Sequence, residues 1–146
     1  MKIALEKLHQ EAILPSYATP NSAGADLYAL LTEEESVSLL PGETKLIRTG
    51  ISLAIPEGYV GLICARSGLS VKEGLAPANK VGVIDADYRG EVMVALYNQS
   101  KAPRTVTKGQ RIAQLLIMPV TQGVFTEVAS LSATRRGEGG FGPTGK

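Results

Sequence analysis

The chain is nearly empty of the residues from which thiol and imidazole sites are built: its 146 residues hold one cysteine, Cys64, and one histidine, His9. A single cysteine excludes an intrachain disulfide, and neither residue has partners at the spacings that make a Cys/His metal site. Cys64 lies in an apolar run and reads as an inert core thiol, while His9 reads as a surface residue. An excess of charge is also missing. Fifteen Lys and Arg stand against 14 Asp and Glu, for a net charge of +1, so no basic field predicts a nucleic-acid partner. Long hydrophobic runs are missing too: the apolar stretches stay well under the ~20 residues of a membrane-spanning helix. Lys2 is followed by Ile3-Ala4-Leu5 and then Glu6-Lys7, which is not a signal-peptide pattern. No membrane partner and a cytoplasmic, reducing location are therefore expected.

What is present is punctuation. Sixteen glycines and eight prolines break the chain into short runs rich in Val, Ile and Leu, and 44% of residues are hydrophobic. That spacing predicts one all-β domain, a sandwich or barrel of short strands. Strands are expected at 3–8, 27–31, 45–48, 51–55, 60–64, 81–84, 92–97, 104–106, 112–119 and 124–128. In Val92–Tyr97 nearly every position is apolar, which suggests burial on both faces. Helix signals are confined to Ser67–Glu73, with Ser67 as candidate N-cap and Gly74 as stop. Glu33-Glu34-Glu35 reads as a solvated loop.

Five polar clusters interrupt this pattern. Ser22–Ala29 places Asp26 at a strand start. Arg66-Ser67-Gly68 follows an apolar strand, and a capped helix start beside a guanidinium makes an anion site, although an exposed Arg on an ordinary capped helix fits the residues equally. Asn79–Gly90 reads as a hairpin with Asp85-Ala86-Asp87 near its tip, where acidic residues also serve simply as turn formers. Lys108-Gly109-Gln110-Arg111-Ile112-Ala113-Gln114 is a polar turn feeding an apolar strand. The last is the C-terminal stretch Arg136–Lys146, with five glycines and one aromatic ring, Phe141. Such a segment loses much conformational entropy on ordering, so it is expected to be flexible until a ligand supplies contacts. Its backbone N–H groups and Arg136 suit phosphate, and Phe141 suits a base. Gly140 to Lys146 also spells G-x-x-x-x-G-K, but no Ser or Thr follows Lys146 and no helix follows it, so a phosphate-binding P-loop is not the reading.

In this order the clusters resemble the five motifs of the trimeric dUTP diphosphatases, the all-β dUTPases: Ala23-Gly24-Ala25-Asp26-Leu27, Arg66-Ser67-Gly68, Gly82–Gly90, Gly109–Gln114 and Arg136–Gly142. The resemblance spans nearly the whole chain. It implies a distorted jelly-roll, a β-clip-like barrel with one short helix, over residues 1–135, and a mobile arm over 136–146 that closes on the active site. It also implies a homotrimer with sites shared between subunits, and hydrolysis of dUTP to dUMP and pyrophosphate with Mg2+. That reaction would limit uracil incorporation into DNA and supply dUMP for dTMP synthesis.

Carried over residue by residue, Asp85 is similar to the general base that activates water against the α-phosphorus. Asn79, Gly82, Val83, Ile84, Tyr88, Met93 and Phe141 correspond to the uracil and deoxyribose contacts, with Tyr88 packed under the sugar. Arg66, Ser67, Gly68, Gln114, Arg136, Gly140, Gly142 and Thr144 correspond to the phosphate binders. Asp26 matches an acidic residue that meets Mg2+ through water, the ion being held mainly by substrate phosphates. Pro143 departs from the family pattern of a small polar residue or His and has no N–H to offer the phosphates.

The chemistry agrees with these roles. A triphosphate repels nucleophiles, so cations must offset its charge and a carboxylate must take the proton of water. Backbone groups can read the C4 edge that distinguishes uracil from cytosine, and a ring against the sugar excludes a 2′-hydroxyl. The related dCTP deaminases carry their catalytic glutamate ten residues after the position of Asp85, where this chain has Ala95; Glu91 lies four residues too early. A non-enzymatic jelly-roll binding module would lack the base or the arm, and this chain has both.

Overall fold

A computed structural model describes residues 1–140. Eleven strands and one helix follow in the order β1 (Ala4–Lys7), β2 (Ser16–Tyr17), β3 (Ala25–Tyr28), β4 (Ser36–Leu39), β5 (Thr44–Ala54), β6 (Tyr59–Cys64), α1 (Ser67–Glu73), β7 (Leu75–Pro77), β8 (Gly82–Ile84), β9 (Glu91–Asn98), β10 (Arg104–Thr107) and β11 (Arg111–Pro119). They form a four-stranded sheet, β1-β5-β9-β7, a five-stranded sheet, β2-β3-β11-β6-β8, and a two-stranded ribbon, β10-β4. The described strands make a jelly-roll-like all-β body whose sheets do not close into one barrel.

Strand alternation explains the core. Along β9, Val92, Val94, Leu96 and Asn98 are buried, while the residues between them are only partly covered, so this strand buries one face fully and the other in part. Ile47, Ile51, Val92 and Val94 of the four-stranded sheet share one cluster with Leu27, Ile63, Ile84 and Leu115 of the five-stranded sheet. Each such side chain contributes about 1.5–3 kcal/mol on burial. The most deeply buried polar side chain among the described residues, Asn98, is fully satisfied. Its Nδ2 donates to the carbonyls of Leu39 and Ala102, both at 2.9 Å, and its Oδ1 accepts from Ser100 N and Oγ. It ties the end of β9 to the ribbon strand β4.

Several expected elements differ. The runs 45–48 and 51–55 belong to one strand, β5, whose register shifts between Arg48 and Ser52. Gly50 lies in that irregularity at φ 71°, with Leu30 and Ala12 packed where a Cβ would be. Strands β2, β4 and β7 were not expected, because two residues, a Ser-rich tetrad and a segment ending in Pro77 give little strand signal. Residues 124–128 are not a strand: Val124 and Phe125 are 95% and 99% exposed, and among the described residues no sheet edge pairs with them. The helix stops at Gly74 in the left-handed conformation as expected, but Arg66, not Ser67, occupies the N-cap position and no side chain caps the start. Ser67 is the first helical residue. Among the described residues no helix is long and apolar enough to cross a membrane.

Candidate active site

Two pockets collect the polar clusters. The first holds about 260 Å³ and is lined by Asn79, Gly82, Val83, Ile84, Asp85, Tyr88 and Met93, with Leu46, Ile63 and Glu91. The segment that builds it is not a hairpin. Strand β8 pairs with β6, Gly82 opposite Ile63 and Ile84 opposite Gly61, whereas β9 pairs with β5 and β7. Residues 85–90 therefore cross from one sheet to the other. Neighbouring runs in a sequence often pair, and here the crossover intervenes. The crossing is closed by a turn in which Tyr88 N donates to Asp85 O at 3.2 Å. Arg89 Nη1 donates to the carbonyls of Ala86 and Tyr88. The Asp85 side chain stands exposed at the start of this turn.

Tyr88 is held at the hydroxyl end of its ring by two contacts. Its hydroxyl donates to Glu91 O at 3.0 Å. The ring lies against Gly90, where an added Cβ would fall 2.4 Å from the hydroxyl oxygen. Glu91 in turn is committed elsewhere. Its carboxylate accepts from Arg48 Nε at 3.0 and 3.1 Å and from Gly50 N at 2.8 Å. It thus binds the two strands together at the irregularity in β5, and Ala95 further along β9 carries no acid.

The second pocket holds about 580 Å³ and collects Asp26, Arg66, Ser67, Gly68 and Gln114, together with Gly24 and Cys64. Register accounts for the grouping. Asp26 of β3 lies opposite Gln114 of β11, and Gln114 lies opposite Cys64 of β6, so one row of side chains crosses three strands on one face. Cys64 is therefore half-buried in this pocket and is not a core thiol; the core side of β6 is taken by Ile63. Gln114 Nε2 donates to Ala65 O at 2.9 Å, which holds the segment leading into Arg66 and Ser67. Arg66 Nε donates to Asp26 Oδ1 at 2.7 Å, and Arg111 Nη1 donates to Asp26 Oδ2 at 3.2 Å. Ser67 and Gly68 are exposed and open the helix, where backbone N–H groups have no partner within the helix.

No residue lines both pockets. The structure thus groups the residues matched to base and sugar, groups those matched to phosphate, and keeps the two groups apart on one chain. Arg136 lies in neither; its Nε donates to Gly139 O at 2.8 Å within an exposed turn, and Gly140 is exposed beyond it. Phe141, Gly142 and Thr144 lie outside the described residues. Among the described residues no three His, Cys, Asp or Glu side chains gather as metal ligands. Both oxygens of Asp26 already face guanidinium groups, so this carboxylate suits an ion held by other oxygens and met through water. The parts played by Glu91 and Cys64 are not legible in residue types; contacts between distant strands reveal them.

The dUTPase family model matches residues 10–145. A deoxyuridine 5′-triphosphate nucleotidohydrolase of Maricaulis maris is 49% identical over 138 residues, 94% of this chain and 91% of that protein. One of Nautilia profundicola is 48% identical over the full length of both. Among solved structures, the dUTPase of Staphylococcus bacteriophage 80alpha with dUpNHpp superposes with a TM-score of 0.89 at 30% identity, covering 99% of each chain.

Proposed function

The chain belongs to the dUTPase family and is a dUTP hydrolase, and from that premise we propose that it cleaves dUTP to dUMP and pyrophosphate in a site assembled from three copies of itself. The observation that carries this reading is the pair of separate pockets, one with the base and sugar residues around Asp85 and one with Arg66, Ser67, Gly68 and Gln114. A nucleoside triphosphate needs both at once. A closed three-fold assembly can place the first pocket of one copy beside the second pocket of another, with residues 136–146 of a third closing over them.

In this mechanism uracil enters the pocket of Asn79, Gly82, Val83, Ile84 and Met93. Tyr88 packs under the deoxyribose and leaves no partner for a 2′-hydroxyl. Arg66, Ser67, Gly68 and Gln114 hold the phosphate chain, which keeps the α-phosphorus in line with a water beside Asp85. The Asp85 carboxylate takes the proton of that water as it attacks. Arg136, Gly140, Gly142 and Thr144 of the arm then add donors to the phosphates while Phe141 stacks on the base. Mg2+ carried by the phosphates, with Asp26 meeting its water shell, would supply charge neutralisation. The protein would act in the cytoplasm, limiting dUTP available for incorporation into DNA and supplying dUMP.

The test is pyrophosphate release measured against dUTP, dCTP, UTP and dTTP, alongside sedimentation. Release confined to dUTP and a particle of three times 15.4 kDa are expected. An active monomer at micromolar concentration would overturn the shared site, and equal turnover of UTP would overturn the role of Tyr88.

A further inference from the structure

Arg111 is a cation in direct contact with Asp26 beside the phosphate pocket, and it has no assigned part. It lies at the start of β11, and its position there depends on a fault in the ladder. Gln114 pairs with Asp26 and Ala113 with Leu27, but Arg111, not Ile112, stands opposite Tyr28. Ile112 is the extra residue, and both Ile112 and Ala113 are fully buried. Regular alternation would bury the side chain two positions from Ala113 and turn that of Ile112 outward. The bulge reverses this and brings Arg111 out on the face that carries Asp26 and Gln114.

There Arg111 holds the far side of the carboxylate that orients Arg66. Its Nη1 donates to Asp26 Oδ2 at 3.2 Å while Arg66 Nε takes Oδ1 at 2.7 Å, and the Asp26 side chain is only 11% exposed. The carbonyl of Arg111 also lies 3.5 Å from Arg66 Nη1, a long contact on a second edge of the same guanidinium. Arg111 itself lines a neighbouring cavity with Lys72, Lys108 and Tyr28, and it is absent from the lining of the pocket that holds Ser67, Gly68 and Gln114. Asp26 carries one charge between two cations, so the pair of arginines leaves a net positive charge facing the phosphate pocket.

We propose that Arg111 is a positioning residue for the triphosphate: it fixes Asp26, and through Asp26 it sets the direction of the Arg66 guanidinium, without touching the substrate. An Arg66 held by one carboxylate oxygen alone could swing with that carboxylate. With Oδ2 anchored and the Arg111 carbonyl beside Nη1, the guanidinium has one orientation, and less order is lost when phosphate arrives. The inference rests on the assignment of Arg66 to phosphate under Proposed function.

The experiment compares Arg111→Met, Arg111→Lys, Arg66→Met and the double variant Arg66→Met/Arg111→Met in the full-length protein. Dissociation constants are measured by calorimetry for a non-hydrolysable α,β-imido analogue of dUTP and for dUMP. Arg111→Met is expected to weaken the analogue about fivefold, the scale of a partly exposed ion pair, while dUMP changes by less than about twofold. Arg111→Lys, which keeps a cation within reach of Oδ2, should recover most of the loss. In the Arg66→Met background the Arg111 substitution should add less than about twofold, because residues acting through one another are not additive. An undiminished loss in that background would mean that Arg111 meets the phosphates itself and would overturn the proposal. Equal losses for analogue and dUMP, or no loss at all, would overturn it too, and Arg111→Lys decides the question if the Met variant does not fold. If Arg66→Met leaves analogue binding intact, the phosphate site and this inference fall together. If Arg66→Met weakens it and Arg111→Met does not, only the inference falls.

Discussion

On the phosphate side the candidate side chains of Arg66 and Gln114 are tied down by hydrogen bonds of their own, whereas on the base side Asp85 is placed by the backbone turn that it begins. Arg66 is held through Asp26 and Arg111, and Gln114 is held on Ala65 O. Among the described residues Asp85 has no comparable tether: it begins a turn whose closing bonds are made by Tyr88 N and by Arg89 with backbone carbonyls. The difference follows from what each side has to meet. Phosphate oxygens are alike in every nucleotide, so recognition there rests on cations held in fixed directions. A base edge is a pattern of donors and acceptors, and main-chain groups in strand register present such a pattern without long side chains to order.

The comparison is broken most sharply at Asp85. Asp85→Asn keeps size and polarity but cannot take a proton. Turnover should fall by about 10²–10⁴-fold, the usual worth of a general base, while affinity for a non-hydrolysable dUTP analogue stays within about tenfold. Single-turnover kinetics beside calorimetry separate the two. If near-native turnover survives, the base lies elsewhere, and Asp87 is the next residue to replace.

Removal of residues 137–146 tests whether either pocket suffices without the arm. Ordering about ten residues costs on the order of 10 kcal/mol in backbone entropy, so closure must return comparable contact energy. The truncated chain should fold and assemble normally but lose at least about a hundredfold in turnover, roughly 2.7 kcal/mol. Full-length rates from the truncated protein would show that the arm is not a lid.

How far all this could be read in advance differs between the two pockets in the same way. Short runs between Gly and Pro announced most of the strands, and the all-β body follows from those alone. The motif order announced which residues to look for. Which residues share a face depends on register, and register depends on irregularities that a pattern of residue types does not reveal. The bulge at Ile112 moves Arg111 to the Asp26 side, and the crossing of residues 85–90 between sheets dissolves an apparent hairpin. The exposed run Val124–Val128 makes the same point from the other side: β-forming residues become a strand only where an edge is available to pair with, and the described residues pair no edge with them.

A second substitution sharpens the contrast on the base side. Gly90→Ala places a methyl group where the Tyr88 hydroxyl and ring now lie, so the ring must move although no functional side chain has been altered. The ratio of kcat/KM for dUTP to that for UTP should narrow by roughly tenfold, about the worth of one well-placed contact in discrimination. Tyr88→Ala should narrow it at least as much. An unchanged ratio in Tyr88→Ala, with both activities intact, would remove Tyr88 from the sugar contact; an unchanged ratio in Gly90→Ala alone would mean that the ring finds a second seat.

The smallest effect is expected at an ion pair that serves neither pocket. Lys108 Nζ lies 2.9 Å from Glu11 Oε1, with both side chains partly exposed. The hydrogen bond from Lys108 holds the Glu11 carboxyl below its usual range, and the same bond raises the Lys108 ammonium above its own. A lowered carboxylate contributes stability above its unfolded value, near 4.3, that disappears as pH falls through the lower folded value. A raised ammonium contributes below its unfolded value, near 10.4, and loses that contribution as pH climbs through the higher folded one. The pair therefore acts on a plateau across neutral pH and at neither extreme. Screening by water and salt keeps an exposed pair weak. Lys108→Met should lower the melting midpoint at pH 7 by no more than about 2 °C, with the difference vanishing toward pH 3 and in high salt. Its kcat/KM for dUTP should match that of the unaltered protein. Lys108 stands three residues from Arg111 and lines the same cavity, so a loss of triphosphate affinity in this variant would mean that the phosphate side is held by a wider field of charge than the Arg66–Asp26–Arg111 row alone.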